Sequence, residues 1–110
     1  MPDSQPELLQ GTLDMLILKV LHCGPMHGFG VSRRIHEISH DLLRVEQGSL
    51  YPALYRMERR GWLEAEWGES ELGRRAKLYR LTREGRAQLT AETAAWRQFA
   101  AVVSKILLAQ

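Results

Sequence analysis

Apolar residues recur at three- and four-residue intervals through Leu9, Leu13, Leu16, Ile17 and Val20, which predicts a helix that Gly24-Pro25 ends. Met15 and Leu18 lie on the other side of the same helix. A helix apolar on two faces must be covered on both, and in so short a chain that points to a partner subunit. A second helix is expected from about Gly28 to Ser39, with Val31, Ile35 and Ile38 on its inner stripe. A third runs from about Ser49 to Arg60, with Leu50, Leu54 and Met57 facing the core. Pro52 is tolerated in a first turn, where its missing N–H breaks no hydrogen bond. That places the start near Gly48 or Ser49, with Ser49 as the N-cap, and Gly61 closes the helix. A turn of about 100° per residue puts Pro52, Tyr55, Arg56 and Arg59 on the side away from the core.

The period then changes. Leu63-Glu64-Ala65-Glu66-Trp67 alternates as a half-buried strand does. After a polar loop from Gly68 to Arg75, the run Ala76-Lys77-Leu78-Tyr79-Arg80-Leu81 supplies a second strand, so the pair reads as a hairpin. Thr82 suits the N-cap of a last helix with Glu84 in its first turn. That helix is expected to continue to about Leu108, with Leu89, Trp96, Phe99, Val103 and Ile106 at 3–4 spacing, interrupted by Glu92. Such a seam fits packing against another helix. Three helices, a hairpin and a long helix make a mainly α fold with a small β-hairpin, the winged helix-turn-helix. We therefore expect a winged-helix DNA-binding domain over residues 1–82 and a C-terminal dimerisation helix over 83–110. The third helix would enter the major groove and the hairpin would reach the flanking backbone or minor groove.

A chain of 110 residues corresponds to about one domain. No apolar run approaches the roughly 20 residues needed to cross a bilayer, and the acidic start MPDSQPELLQ does not fit a secretory signal. The lone Cys23 rules out an internal disulfide framework. A cytoplasmic protein is expected. Net charge is only +2, yet 12 of the 15 basic residues fall between Arg33 and Arg86. The clusters Arg59–Arg60, Arg74–Arg75–Lys77 and Arg80–Arg83–Arg86 are able to form a basic face on folding.

Phosphate contacts position a DNA-binding protein and base contacts specify sequence. Ser49, at a helix N-terminus, suits a phosphate. Gln47, Tyr51 and Tyr55 offer further hydrogen bonds beside Pro52, although packing at the edge of the core is an equal reading of the two tyrosines. Arg56 is able to grip a phosphate or fork onto guanine, a contact worth about 1–3 kcal/mol of discrimination. Arg74, Arg75 and Lys77 are the expected wing contacts. Leu9, Leu13, Leu16, Val103 and Ile106 are the expected dimer interface. No metal, cofactor or catalytic site is expected: His22, Cys23 and His27 match no structural zinc spacing. The chain also lacks a phosphate loop and a nucleophile elbow.

Five stretches in order carry a family resemblance: Gly11-Thr12-Leu13-Asp14-Met15-Leu16-Ile17-Leu18, Pro25-Met26-His27-Gly28-Phe29-Gly30-Val31, Gly48-Ser49-Leu50-Tyr51-Pro52-Ala53-Leu54, Glu58-Arg59-Arg60-Gly61-Trp62-Leu63 and Lys77-Leu78-Tyr79-Arg80-Leu81-Thr82. With them the chain resembles the PadR family of bacterial transcriptional regulators, in its short form with one C-terminal helix. The resemblance implies a homodimer on a palindromic operator in double-stranded DNA, usually a repressor released by a small effector. Two departures stand out: Phe29 replaces a frequent tyrosine, and Arg75-Ala76 replaces a proline-containing pair in the wing. Since the family uses flat aromatic effectors, Trp96 and Phe99 either frame an effector pocket or fill the dimer core, the second being the plainer reading. The rival to DNA binding is a winged helix used only as a protein-interaction module or scaffold, which acids such as Glu69 and Glu71 in the hairpin loop would favour.

Overall fold

The computed structural model describes residues 11–69 and 73–110. In chain order the elements are α1 (Thr12–His22), β1 (Met26–His27), α2 (Gly28–Ile38), α3 (Gln47–Arg59), β2 (Leu63–Glu69), β3 (Arg75–Leu81) and α4 (Arg83–Leu108). The expected order of three helices, a hairpin and a long helix is observed, and the fold is a winged helix. Ile17, Leu18 and Leu21 of α1, Val31 and Ile35 of α2, and Leu50, Leu54 and Met57 of α3 build the core, closed below by Leu63, Tyr79 and Leu81 of the hairpin.

Several sequence expectations are corrected. Strand β1 was not anticipated, because two residues are too few to show an alternation. It joins the hairpin as an edge strand, giving the order β1-β3-β2 with all pairs antiparallel. The Nδ1 atom of His27 lies 3.0 Å from the Lys77 carbonyl and ties the edge down. Ile38 does not reach the core: it is the last residue of α2 and is 53% exposed. The hairpin is longer than expected, since β2 runs to Glu69 and β3 starts at Arg75. A proline cannot donate to a strand ladder; Arg75-Ala76 carries two N–H groups, and both residues lie within β3. Leu9 lies outside the described residues.

The start of α4 is fixed by Thr82, as its sequence position implies. Its Oγ1 accepts from the Gly85 amide at 3.0 Å and donates toward the Gly61 and Trp62 carbonyls at 2.7 and 3.0 Å. Gly85 sits so close to the chain before β2 that an added Cβ would lie 2.1 Å from the Trp62 carbonyl oxygen. Only the first turns of α4 are buried, through Gly85 and Leu89. The rest of this 26-residue helix stands out from the core.

Candidate nucleic-acid interface

Helix α3 is held by one face and presents the other. Leu50, Ala53, Leu54 and Met57 are all at most 1% exposed, while Tyr51, Pro52, Tyr55, Arg56 and Arg59 are exposed. Such complete burial of one stripe leaves little freedom to roll, so the outward set is rigidly carried. Tyr55, Arg56, Arg59 and Arg60 line one open groove on that outer side. The Arg59 guanidinium lies 5.6 Å from the centre of the Tyr55 ring, and Arg60 lies 5.2 Å from that of Trp62. The contacts suit the attraction of a cation to a ring face. Arg59 and Arg60 belong beside Arg56, although sequence reasoning named only Arg56 as a contact.

The first turn of α3 differs from expectation. The helix begins at Gln47 with Glu46 as N-cap, and no side chain caps it. Ser49 is therefore inside the first turn, with its amide bonded to the Glu46 carbonyl at 3.0 Å. Pro52 falls one turn further in than the first-turn argument allowed. The carbonyl it cannot serve belongs to Gly48, and both residues are exposed, a setting in which a missing backbone donor costs least. Gln47 and Ser49 remain exposed at this end.

Tyr51 is at once exposed and packed at the edge of the core. It is 41% exposed, yet its ring packs so closely on Gly28 that a Cβ there would come within 2.7 Å of it. Tyr55, at 57% exposure, is a surface residue.

Arg56 is not a simple outward arginine. Its Nη2 donates to Oδ1 of Asp14 at 2.5 Å, joining α3 to α1 across 42 positions of sequence. Asp14 is the buried charged residue among those described, and its side chain is only 11% exposed against 44% for Arg56. Sequence reasoning missed this pair, since an acid in a first helical turn reads as a partner for the helix dipole.

The hairpin carries its charges on two faces. On the core side, Leu63 opposes Leu81 and Ala65 opposes Tyr79; beyond the core edge the same face continues as Trp67 opposite Lys77 and Glu69 opposite Arg75. Arg75 and Lys77 approach the Trp67 ring to 5.0 and 5.5 Å from its centre, and Trp67 is 56% exposed. Lys77 also pairs with Glu58 of α3 at 3.2 Å, both side chains under a third exposed. It thus ties the wing to α3. Arg74 and Arg75 are exposed next to the tip. The opposite face holds Glu64 and Glu66, bound by Arg80 at 3.2 and 2.7 Å. These hydrogen bonds, that of Glu66 first, raise the Arg80 pKa further and remove it from the expected basic cluster. Burial raises the Tyr79 pKa above its ordinary 10.0, against a smaller opposing effect of Lys77.

On α4, Trp96 and Phe99 meet with ring centres 6.4 Å apart and planes tilted by 48°. Trp96, Phe99, Val102 and Ile106 are between 42% and 67% exposed, and Val103 is half-buried. Leu13 and Leu16 of α1 are half-buried against the core. Among the described residues, no three metal-ligating side chains gather into a site, and no helix is long and apolar enough to cross a membrane.

Comparison with known proteins agrees with this architecture. The model of the transcriptional regulator PadR-like family matches residues 17–91. A transcriptional regulator from Clostridium thermocellum superposes with a TM-score of 0.80 at 28% identity, over 87% of this chain and 93% of that one. A PadR family transcriptional regulator from Eggerthella lenta gives 0.80 at 31% identity, over 92% and 86%. The transcriptional regulator Rv3488 of Mycobacterium tuberculosis is 41% identical over 64 residues, covering 58% of this chain and 59% of that protein. These relatives are regulators of transcription. The chain belongs to the PadR-like family of transcriptional regulators.

Proposed function

We propose that the protein is a sequence-specific DNA-binding regulator acting as a homodimer, with α3 in the major groove of each half-site and the wing on the flanking backbone or minor groove. The observation that carries this reading is the outer face of α3. Three arginines and a tyrosine line one groove there, on a helix whose inner stripe is fully buried. A rigid helix with cationic forks is what base-edge and phosphate recognition requires. Arg74 and Arg75 extend the positive surface along the wing, with Gln47, Ser49, Tyr51, Pro52 and Tyr55 in supporting contacts. Lys77 has a lesser part, given its pairing with Glu58.

We divide the chain at residue 82, with the winged helix before it and the dimerisation helix after it. The apolar side of α4, through Trp96, Phe99, Val103 and Ile106, packs on a second copy together with Leu13 and Leu16 of α1. In the family's manner the dimer represses a palindromic operator and lets go when a small, flat effector enters beside Trp96. Of the acids that would favour a scaffold role, Glu69 stands opposite Arg75 in the hairpin, where a cation faces it, and Glu71 lies outside the described residues. Selection of duplexes from a random library, followed by sequencing, tests the proposal. Enrichment of an inverted repeat is expected; recovery of unenriched sequence would overturn it.

A further inference from the structure

Asp14 is the side chain that the DNA-binding reading leaves without a task. Burying a carboxylate is costly unless it is paired. A buried ion pair is weak evidence for stability, because apolar residues of the same shape often do as well. Its partner is not a core group either: Arg56 is nearly half exposed and lies in the outer groove with Tyr55, Arg59 and Arg60. Within the described residues the carboxylate engages Nη2 alone, leaving Nε and Nη1 as donors. An arginine side chain has several rotatable bonds, and holding one end of its fork removes most of that freedom before any ligand arrives.

We propose that Asp14 is a positioning residue for sequence discrimination: from α1 it fixes the Arg56 guanidinium so that its remaining N–H groups meet a base edge in one geometry. The inference rests on the DNA-binding reading and deepens it. Without the tether, Arg56 swings among phosphates, which are present at every sequence. Asp14 thus trades general affinity for selectivity. Because Asp14 sits between Leu13 and Met15 on α1, any shift of that helix is transmitted to the α3 fork.

The test compares a duplex enriched by the wild-type protein with a random-sequence duplex of equal length. Asp14→Asn removes the charge and keeps the shape. The affinity ratio, enriched over random, is expected to fall by roughly 5- to 150-fold, the range for one arginine–guanine fork. Random-duplex affinity is expected to hold or rise, with a salt slope steeper by up to about 0.9 per subunit as Arg56 becomes available to a phosphate. A purely structural role would weaken both duplexes in parallel with the melting temperature and leave the ratio unchanged, which would overturn the proposal. Arg56→Lys keeps a cation for Asp14 but loses the fork; it is expected to lower the ratio to a similar degree at near wild-type melting temperature. In that background Asp14→Asn should then have no further effect on the ratio, since the two act as one unit. An equal loss in both backgrounds, or a wild-type ratio in Arg56→Lys, would sink the inference. Failure of the wild-type protein to enrich any duplex would instead defeat the DNA-binding reading itself.

Discussion

Replacing Gly85 by alanine adds a single methyl group, and the structure indicates that this unseats α4. In an open helix the change is favourable by up to about 1 kcal/mol, since glycine carries the larger entropy cost. Here the new Cβ would stand 2.1 Å from the Trp62 carbonyl oxygen and 2.7 Å from Leu81 Cδ1. The first neighbour is backbone and has no rotamer to give. Restoring 3.0 Å, below which such contacts essentially do not occur, requires a displacement of about 0.9 Å. The same carbonyl accepts from the Thr82 amide and from Thr82 Oγ1, each at 3.0 Å. Parting the segments by that much breaks both bonds, at about 1 kcal/mol each. Residual strain costs about 1–3 kcal/mol. After the helix-propensity gain the net loss is roughly 2–4 kcal/mol, or on the order of 10–30 °C in Tm for a chain of this size. Thermal unfolding followed by circular dichroism measures it. Gly48→Ala is the control: nothing lies within 4 Å of its Cβ, so the same methyl should leave Tm unchanged or raise it by a few degrees. A Gly85→Ala protein that melts at or above wild type would refute the close approach on which the placement of α4 rests.

Burial raises the Tyr79 pKa, so the folded state favours the neutral hydroxyl; the associated stability is complete below 10.0, the ordinary value, and drains away as pH climbs through the higher folded value. Urea unfolding between pH 9 and 12 should show this loss, and Tyr79→Phe should flatten it relative to wild type. Arg75→Ala removes an exposed wing cation and should reduce affinity for all duplexes about equally, with a salt slope lower by about 0.9 per subunit; a loss confined to one sequence would reassign Arg75 to base contact. Ile106→Glu, at a position 67% exposed in the single chain, should leave each winged helix folded but weaken self-association roughly tenfold or more in equilibrium sedimentation, and an unaltered dimer would move the interface elsewhere.

Much of this was readable from periodicity. The α3 stripe of Leu50, Leu54 and Met57, the Thr82 cap and the end of α4 at Leu108 all depend on neighbours within a few positions, and such dependence leaves a mark in the sequence. The misreadings have the opposite character. Strand β1 exists because β3 offers it a partner some fifty residues away, as the His27–Lys77 contact shows. The Asp14–Arg56 and Lys77–Glu58 pairs join separate elements, and an acid or base looks the same in sequence whether it faces water or a distant partner. Ile38 fails for a related reason: helical spacing gives its direction, but what lies in that direction depends on where α3 ends up. The α3 start lies earlier than Pro52 implies, because Gly48 and Pro52 are both exposed and the proline is tolerable one turn further in.

The salt dependence of duplex binding tests the central claim most directly. If two copies each bring Arg59, Arg60, Arg74, Arg75 and the remaining donors of Arg56 to the phosphates and grooves, several counterions leave on binding. The log of the affinity should then fall with log salt at a slope of about −4 or steeper. Binding that does not respond to salt between about 50 and 200 mM would contradict the assignment of these surfaces to DNA.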